Sequence, residues 1–364
     1  MPREHTKISL RAIFLAVAIV VVAGCNRSPR TPDEIAHEDT NFSVALLTPG
    51  PISDAGWNAA AFDGMELIKG NLAARTAVVQ TTSPADFEDA MRDFASRGFN
   101  VIFAHGFEYG DAALKVGKLF PKTTIIVTSG SVTATNVASV TFKVEEAAYV
   151  EGVLAGAMSK SGVVGTIGGI PLPAIKLSIE GFKRGFLSVR PNGRVLVTFT
   201  GNFDDVGAAK EAALAEVSQG ADLLMHDADA AGLGVFQAAI QAHVYAFGAN
   251  RNQNSVAPEV VLASAVADIP DAFLRIATQV RGGSFHPGLI EMGMKDGMIK
   301  VVYNDHLKDR IPEPARERAD AAEKDIIAGK IAFPATSAPP ATSAPPATPA
   351  LSATPAPSAT PAQK

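Results

Sequence analysis

Cysteine is almost missing from the chain: Cys25 is the only one in 364 residues. A single thiol excludes any disulfide within the chain, so the fold must be held by packing alone. Excess positive charge is also missing, with 32 lysines and arginines against 37 aspartates and glutamates and a net charge of -5. That balance supplies no basic stripe to neutralise a phosphate backbone, and nucleic acid is not expected as a partner. No apolar run reaches the roughly 20 residues needed to span a bilayer as a helix. Aromatic residues make up only 7%, with one tryptophan and four tyrosines, so an aromatic side chain in a loop stands out. What is plentiful is apolar surface, 47% hydrophobic residues, enough at this length for two domains.

Cys25 closes the apolar run Ala12 to Gly24, which follows Arg3, Lys7 and Arg11. A positive start, a short apolar stretch and small residues before a cleavage point form a secretory signal. With cysteine directly after Val22-Ala23-Gly24, the segment resembles a lipoprotein signal, in which the thiol is acylated and becomes the mature N-terminus. Residues 1–24 are read as that signal and 25–40, polar and carrying Pro29 and Pro32, as a flexible tether. The expected location is the cell envelope, with the protein anchored to the membrane through lipid on Cys25. At the other end, residues 334–364 are nearly all Pro, Ala, Thr and Ser. Such a composition buries too little apolar surface to offset its ordering entropy, and disorder is expected there.

Between these ends, apolar runs of strand length alternate with helical patterns. Val44 to Leu47, Thr76 to Val79, Val101 to Ala104, Thr124 to Val127 and Val137 to Phe142 form one series, followed by a helix over Glu145 to Ser159. The pattern then begins again with Val163 to Ile167, Val195 to Phe199, Asp222 to Met225, Val244 to Phe247 and Val260 to Leu262. Near-continuous apolar strands separated by helices indicate parallel sheets covered on both faces. The expectation is an α/β chain of two doubly wound halves, whose ligand lies outside the carboxyl ends of the strands.

The loops after those strands hold the candidates. Asp54, Trp57 and Asn58 follow the first strand at a helix start. The indole is suited to stack on a planar ligand while the polar groups read its edge, but Asp54 is equally suited to cap the helix. After the third strand come His105, Phe107 and Asp111; a histidine without a nucleophile or second histidine nearby is read as structural, and Asp111 is open to capping or ligand contact. In the second half, Gly169 lies in a glycine-rich turn that lacks dinucleotide spacing, and Phe203 follows the next strand. His226-Asp227-Ala228-Asp229 has too few ligands for a metal, and Asn250 to Asn254 offer paired amide donors and acceptors.

Taken in order over about residues 42 to 333, these segments resemble the basic membrane protein family, purine-nucleoside receptor lipoproteins of bacterial ABC importers. The carriers are Asp54 with Trp57-Asn58, Gly106-Phe107 with Asp111, Glu145 to Gly152, Gly168-Gly169, and Phe203-Asp204-Asp205. The resemblance implies a type I periplasmic-binding-protein fold, with lobes over 41–145 plus 268–290 and 146–267 plus 291–333, closing at a hinge cleft. It implies a monomer that captures a nucleoside, purine above all, or a related planar heterocycle, and passes it to a membrane permease. The site would comprise Asp54, Trp57, Asn58, Phe107, Asp111, Gly169, Phe203 and Asn250, with no catalytic residue, metal or cofactor. Two departures bear on the cargo: Asn250 and Asn252 stand where the family keeps aspartates, and Ala267 stands where it keeps a lysine. The rivals are a surface sensor or adhesin that retains the fold, and a secreted nucleoside hydrolase using Asp54 or His226-Asp227.

Overall fold

A computed structural model describes residues 39–333; Cys25 and its signal, the tether up to residue 38 and the tail lie outside the described residues, while Asp39 and Thr40, read as the end of the tether, begin the first strand. The first sheet contains β1 (Asp39–Thr48), β2 (Ala74–Gln80), β3 (Val101–Ala104), β4 (Thr124–Thr128), β5 (Val137–Phe142) and β11 (Leu289–Met292). Its order is β11-β5-β4-β3-β1-β2, all parallel. The second contains β6 (Val163–Gly168), β7 (Arg194–Phe199), β8 (Leu223–Asp227), β9 (Tyr245–Asn250), β10 (Val261–Ala267) and β12 (Ile299–Tyr303), in the order β12-β10-β9-β8-β6-β7. Only β12 runs antiparallel to its neighbour there.

Both sheets are sandwiched, as the apolar runs require. In β1, Val44 and Leu46 pack with Met65 and Ile68 of α1 (Trp57–Leu72) on one face. Ala45 and Leu47 pack with Phe87 and Met91 of α2 (Pro84–Ser96) on the other. Strands β11 and β12 are additions to the expected series. They are short edge strands, each interrupted by a charged residue, Glu291 and Lys300, so their sequences carry little of the continuous apolar signal of a central strand.

Strand order reverses at β1, between β2 and β3, and again at β6, between β7 and β8. Each reversal leaves a crevice beyond the carboxyl ends of the strands, where adjacent loops diverge. The loops after β1 and β3 face this position in one lobe, those after β6 and β8 in the other.

Three chain segments cross between the lobes: α4 (Val144–Met158), the junction of β10 with α8 (Ile269–Arg281), and Gly293 to Met298. They are bound to one another. Glu146 Oε2 accepts the Met294 N–H at 2.6 Å, and the Asp268 N–H donates to the Met298 carbonyl at 2.7 Å. Helix α4 also lies against α5 (Pro173–Val189) with backbones in contact. A Cβ on Gly152 would overlap the Phe182 carbonyl, and one on Gly185 the Tyr149 carbonyl. Only glycine permits that approach.

Candidate functional site

The loop from β1 into α1 is shaped by Asp54. Its Oδ1 accepts the Gly56 and Ala59 N–H groups, each at 2.9 Å, and its Oδ2 accepts the Asn58 backbone N–H and Asn58 Nδ2, each at 2.8 Å. Both oxygens are thus engaged at the free N–H groups of the helix start, and the negative charge lies at the positive end of the helix dipole. Of the two roles open to Asp54, capping is the one displayed. Asn58 is left with Oδ1 buried and without a partner, an acceptor whose unmet bond costs about 1–3 kcal/mol.

Trp57, half-buried at the first position of α1, has its ring stacked on His105 at a centroid distance of 4.3 Å and an interplanar angle of 20°. Phe142, at the end of β5, meets the indole edge-on at 6.0 Å. His105 is fixed by two bonds: Nε2 to the Trp57 carbonyl and Nδ1 to Thr128 Oγ1, both 3.1 Å. A carbonyl only accepts, so Nε2 carries the proton and Nδ1 accepts from the hydroxyl. Burial depresses the His105 pKa to about 3. His105 is a neutral platform beneath the tryptophan.

The opposite lobe presents Gly169, Phe203, Asp227, Asp229 and Asn250. The Gly169 N–H donates to the Asp227 carbonyl at 3.0 Å, and the Ala231 N–H to the Phe203 carbonyl at 2.8 Å, so the loops after β6, β7 and β8 form one surface. The Phe203 ring lies over Gly169, where a Cβ would collide with it. Asn250, in a left-handed conformation with φ 64°, points Nδ2 at Asp227 Oδ1 (3.2 Å) and Asp229 Oδ1 (3.3 Å).

The lobes meet through Asp229. Its Oδ1 accepts the Trp57 backbone N–H at 3.1 Å, and a Cβ on Gly56 would stand 2.5 Å from the same oxygen. The contact needs glycine at 56. Asp229 itself has a left-handed backbone, φ 46°. Gln253 Nε2 reaches the Ala55 carbonyl at 3.4 Å, and Arg251 pairs with Asp63 of α1 at 2.5 Å. The ion pair is largely solvated and contributes at most about 1 kcal/mol.

Two carboxyls in this surface, the buried Asp227 and the half-buried Asp229, have raised pKa values. Asp229 is pushed up to about 8, first by desolvation and then by the charges of Asp54 and Asp227. Asp227 is pushed up to about 6 by burial, opposed by bonds from Ser178 and Asn250. His226, next in sequence, points to the other face of β8: its Nε2 donates to Gln253 Oε1 at 3.0 Å, and burial lowers its pKa to about 4. His226 and Asp227 are not hydrogen-bonded to each other, so the pair is not arranged as an acid–base dyad. Gln253 Oε1 also accepts the Ala249 N–H, and Ser264 links Gln253 to Asn254, so these amides brace their own loop.

Of the residues singled out in the sequence, Asp54, Trp57, Asn58 and Asn250 fall in one hydrogen-bonded group joined by Asp229, with Gly169 and Phe203 beside it. Phe107 is half-buried in a 3-10 turn, and Asp111 is exposed in the first turn of α3 (Gly110–Leu119). Among the described residues neither has a side-chain hydrogen bond or ring contact to that group. Asp229, Asp63 and Arg251 were not anticipated. Asp229 was weighed only as a metal ligand and Asp227 as a metal ligand or the partner of His226 in a hydrolase, and among the described residues no group of three or more histidine, cysteine or carboxylate side chains is placed to hold a metal. A small recess of about 10 Å³, the room of one water, adjoins Asn250 and is walled by Val144, Ala147, Ser178, Ala265 and Ala267.

Comparison with known proteins agrees with this architecture. Residues 42–337 match the model of the Bmp family, described as ABC transporter substrate-binding protein PnrA-like. A purine-binding protein of Brucella abortus is 30% identical over 285 residues, covering 78% of this chain and 81% of its own. An ABC transporter nucleoside-binding protein of Lactococcus lactis is 26% identical over 90% of this chain and 98% of its own. A solute-binding protein of an Aeropyrum pernix ABC transporter superposes with a TM-score of 0.74 at 20% identity, over 80% of this chain and 93% of that one, which shows the shared two-lobed fold of the type I periplasmic-binding proteins. No helix among the described residues is long and apolar enough to cross a membrane. The chain belongs to the Bmp family of PnrA-like ABC transporter substrate-binding proteins.

Proposed function

We propose that the protein is a lipid-anchored, monomeric receptor that closes over a purine or related planar heterocycle and delivers it to an ABC permease. The observation that carries the reading is the placing of Trp57. The only tryptophan of the chain lies at a switch-point crevice, with one ring face backed by His105 and polar groups of both lobes around it. A backed indole is a rigid surface for a second aromatic ring, which gains about 1–3 kcal/mol by stacking. Asn58 Oδ1, buried and unpartnered, is the acceptor for a ring N–H or exocyclic amine. Phe203 over Gly169 supplies apolar surface from the other lobe. Phe107 and Asp111 complete the rim once ligand holds the lobes in register, and Asp54 holds the helix start that carries Trp57 and Asn58. The named relatives, one purine-binding and one nucleoside-binding, support the same ligand class.

Closure over such a ligand stabilises the folded state by mass action, by about 2.7 kcal/mol at a hundredfold excess over Kd. Thermal denaturation with adenine, hypoxanthine, adenosine and inosine is the test. At least one raises the melting temperature in a concentration-dependent way; silence from all four ends the purine assignment. Anchoring is tested separately by labelled palmitate, incorporated by the full chain and not by Cys25→Ser.

A further inference from the structure

The two sheets run outward from their switch points in matching order, β1-β3-β4-β5-β11 and β6-β8-β9-β10-β12. The crossing segments leave from β5, β10 and β11, so the outer edges of the sheets lie beyond the crossings as seen from the cleft. On the cleft side, Val144, Ala147, Ala267 and Ile299 wall the small recess beside Asn250. On the far side, Glu146, Gly293, Lys295 and Asp296 form the floor of a second recess, of about 440 Å³. No residue lines both.

The walls of this rear recess come from opposite lobes. Glu291 of β11, ion-paired at 3.4 Å with Lys143 directly after β5, stands on the first sheet. The other wall is the stretch 326–333, which ends α9 (Glu313–Ile327) and continues past it. That stretch is fastened to the second lobe. Tyr303 of β12 donates its hydroxyl to Asp320 Oδ1 of α9 at 2.9 Å, and Arg184 of α5 donates to the Ala332 carbonyl at 3.0 Å and lies 5.0 Å from the centre of the Phe333 ring. Ala328, Gly329 and Ala332 give this wall little bulk, and Lys143, Glu291 and Lys295 are charged and keep contact with water, so the lining side chains do not fill the gap.

Two bodies that turn about a common axis approach on one side as they part on the other. A rotation that separates Trp57 from Asp229 in the cleft therefore brings Glu291 toward the 326–333 wall behind it. We propose that the rear recess governs capture: its volume is the room into which the lobes swing as the cleft opens, so that bulk placed there holds the cleft closed. The proposal rests on the lobe closure put forward above and not on which ligand is captured. A receptor that holds ligand only when closed binds with an affinity reduced by the fraction of molecules in that state, so blocking the open state raises affinity with no change at the ligand's own contacts.

The experiment alters the recess in the full chain and reads lobe opening by small-angle scattering without ligand, and capture by calorimetric titration with adenine. Ala328→Phe and Ala332→Phe together place two rings in the recess, both at exposed positions. This protein is expected to have a smaller radius of gyration than the unaltered one and to bind adenine at least about threefold more tightly. Ile327→Ala, which widens the recess from an exposed position, is expected to act the other way, with a larger radius and binding weakened at least about twofold. Ala328→Ser with Ala332→Ser is the control and changes neither. Radii that stay the same in both variants, or one adenine Kd common to all the proteins, overturn the proposal and leave the purine reading standing. Radii that move as expected while adenine binds to none of the proteins uphold the rear control and count against the purine.

Discussion

Asp229 Oδ1 accepts the backbone N–H of Trp57, so a carboxyl of one lobe closes on the residue that offers its ring to ligand in the other. The same oxygen is bridged to Asn250. Asp229 thus adds to closure beside the Gln253–Ala55 and Arg251–Asp63 contacts. Replacing it with Asp229→Ala removes a bond worth about 0.5–1.5 kcal/mol and shifts the population toward open lobes. Small-angle scattering should show a larger radius of gyration for the variant without ligand and an unchanged one for Asp229→Asn, which retains an acceptor. Identical scattering from all three proteins would mean that the bond does not hold the lobes.

Stability should fall as pH rises above neutrality. Asp229 titrates near 8, and Glu145 and Glu216 near 7, all raised chiefly by burial. Each folded carboxyl keeps a proton that the unfolded chain loses near pH 4, so its stabilising contribution is complete at low pH and disappears as pH passes the folded value. His105 and His226, near 3 and 4, act the other way. Their contribution grows up to about pH 6.5, the unfolded value, and is constant beyond it. Between pH 6.5 and 8 only the carboxyls change, at up to about 1.4 kcal/mol per pH unit for each group still protonated. Asp229 is half-buried, which reduces its share. The melting temperature should drop across that interval, less steeply in Asp229→Asn. A flat or rising profile would contradict the burial of these acids.

The crossing of α4 and α5 tolerates no added atom. In Gly152→Ala the new methyl meets the Phe182 carbonyl, backbone rather than a flexible side chain. Overpacking of this kind costs about 1–3 kcal/mol, several degrees of melting temperature. Gly70→Ala is the control, because a Cβ there meets nothing within 4 Å and glycine is poor in a helix interior. It should leave the melting temperature equal or higher. Equal losses in the two variants would remove the special standing of the crossing.

Trp57→Ala should weaken adenine binding by about ten- to a hundredfold, the stacking contribution of one base. Trp57→Phe should recover part of it. Titration of folded variants reads this directly, and an unchanged Kd for the alanine variant takes Trp57 out of the site.

Ten of the twelve strands could be read from the chain: the central ones because a strand buried on both faces must be apolar throughout, as Val101 to Ala104 is, and the edge strands β2 and β7 through the unbroken runs Ala77 to Val79 and Val195 to Val197. The edge strands Leu289–Met292 and Ile299–Tyr303 could not. A charged residue, Glu291 in one and Lys300 in the other, breaks the run. At the site, Trp57 stood out through rarity and Asn58 through its place at a helix start. Asp229 was hidden because nothing in its local sequence says that its partner is a backbone N–H 172 positions away. The same holds for Arg251 and Asp63, whose pairing exists only once two distant loops face each other. The seam at Gly152 and Gly185 was likewise unreadable, since a helical glycine looks like a defect until the neighbouring backbone occupies its space.

Because the chain has a single tryptophan, all indole emission comes from the ring pressed on His105 between the lobes. The protein has a built-in optical gauge of its own gap. Opening would uncover the side of the indole away from His105 to water and shift its emission to longer wavelength, while a ligand laid on that face would quench it. Stopped-flow fluorescence can therefore time capture and release in the unlabelled protein, residue by residue at position 57.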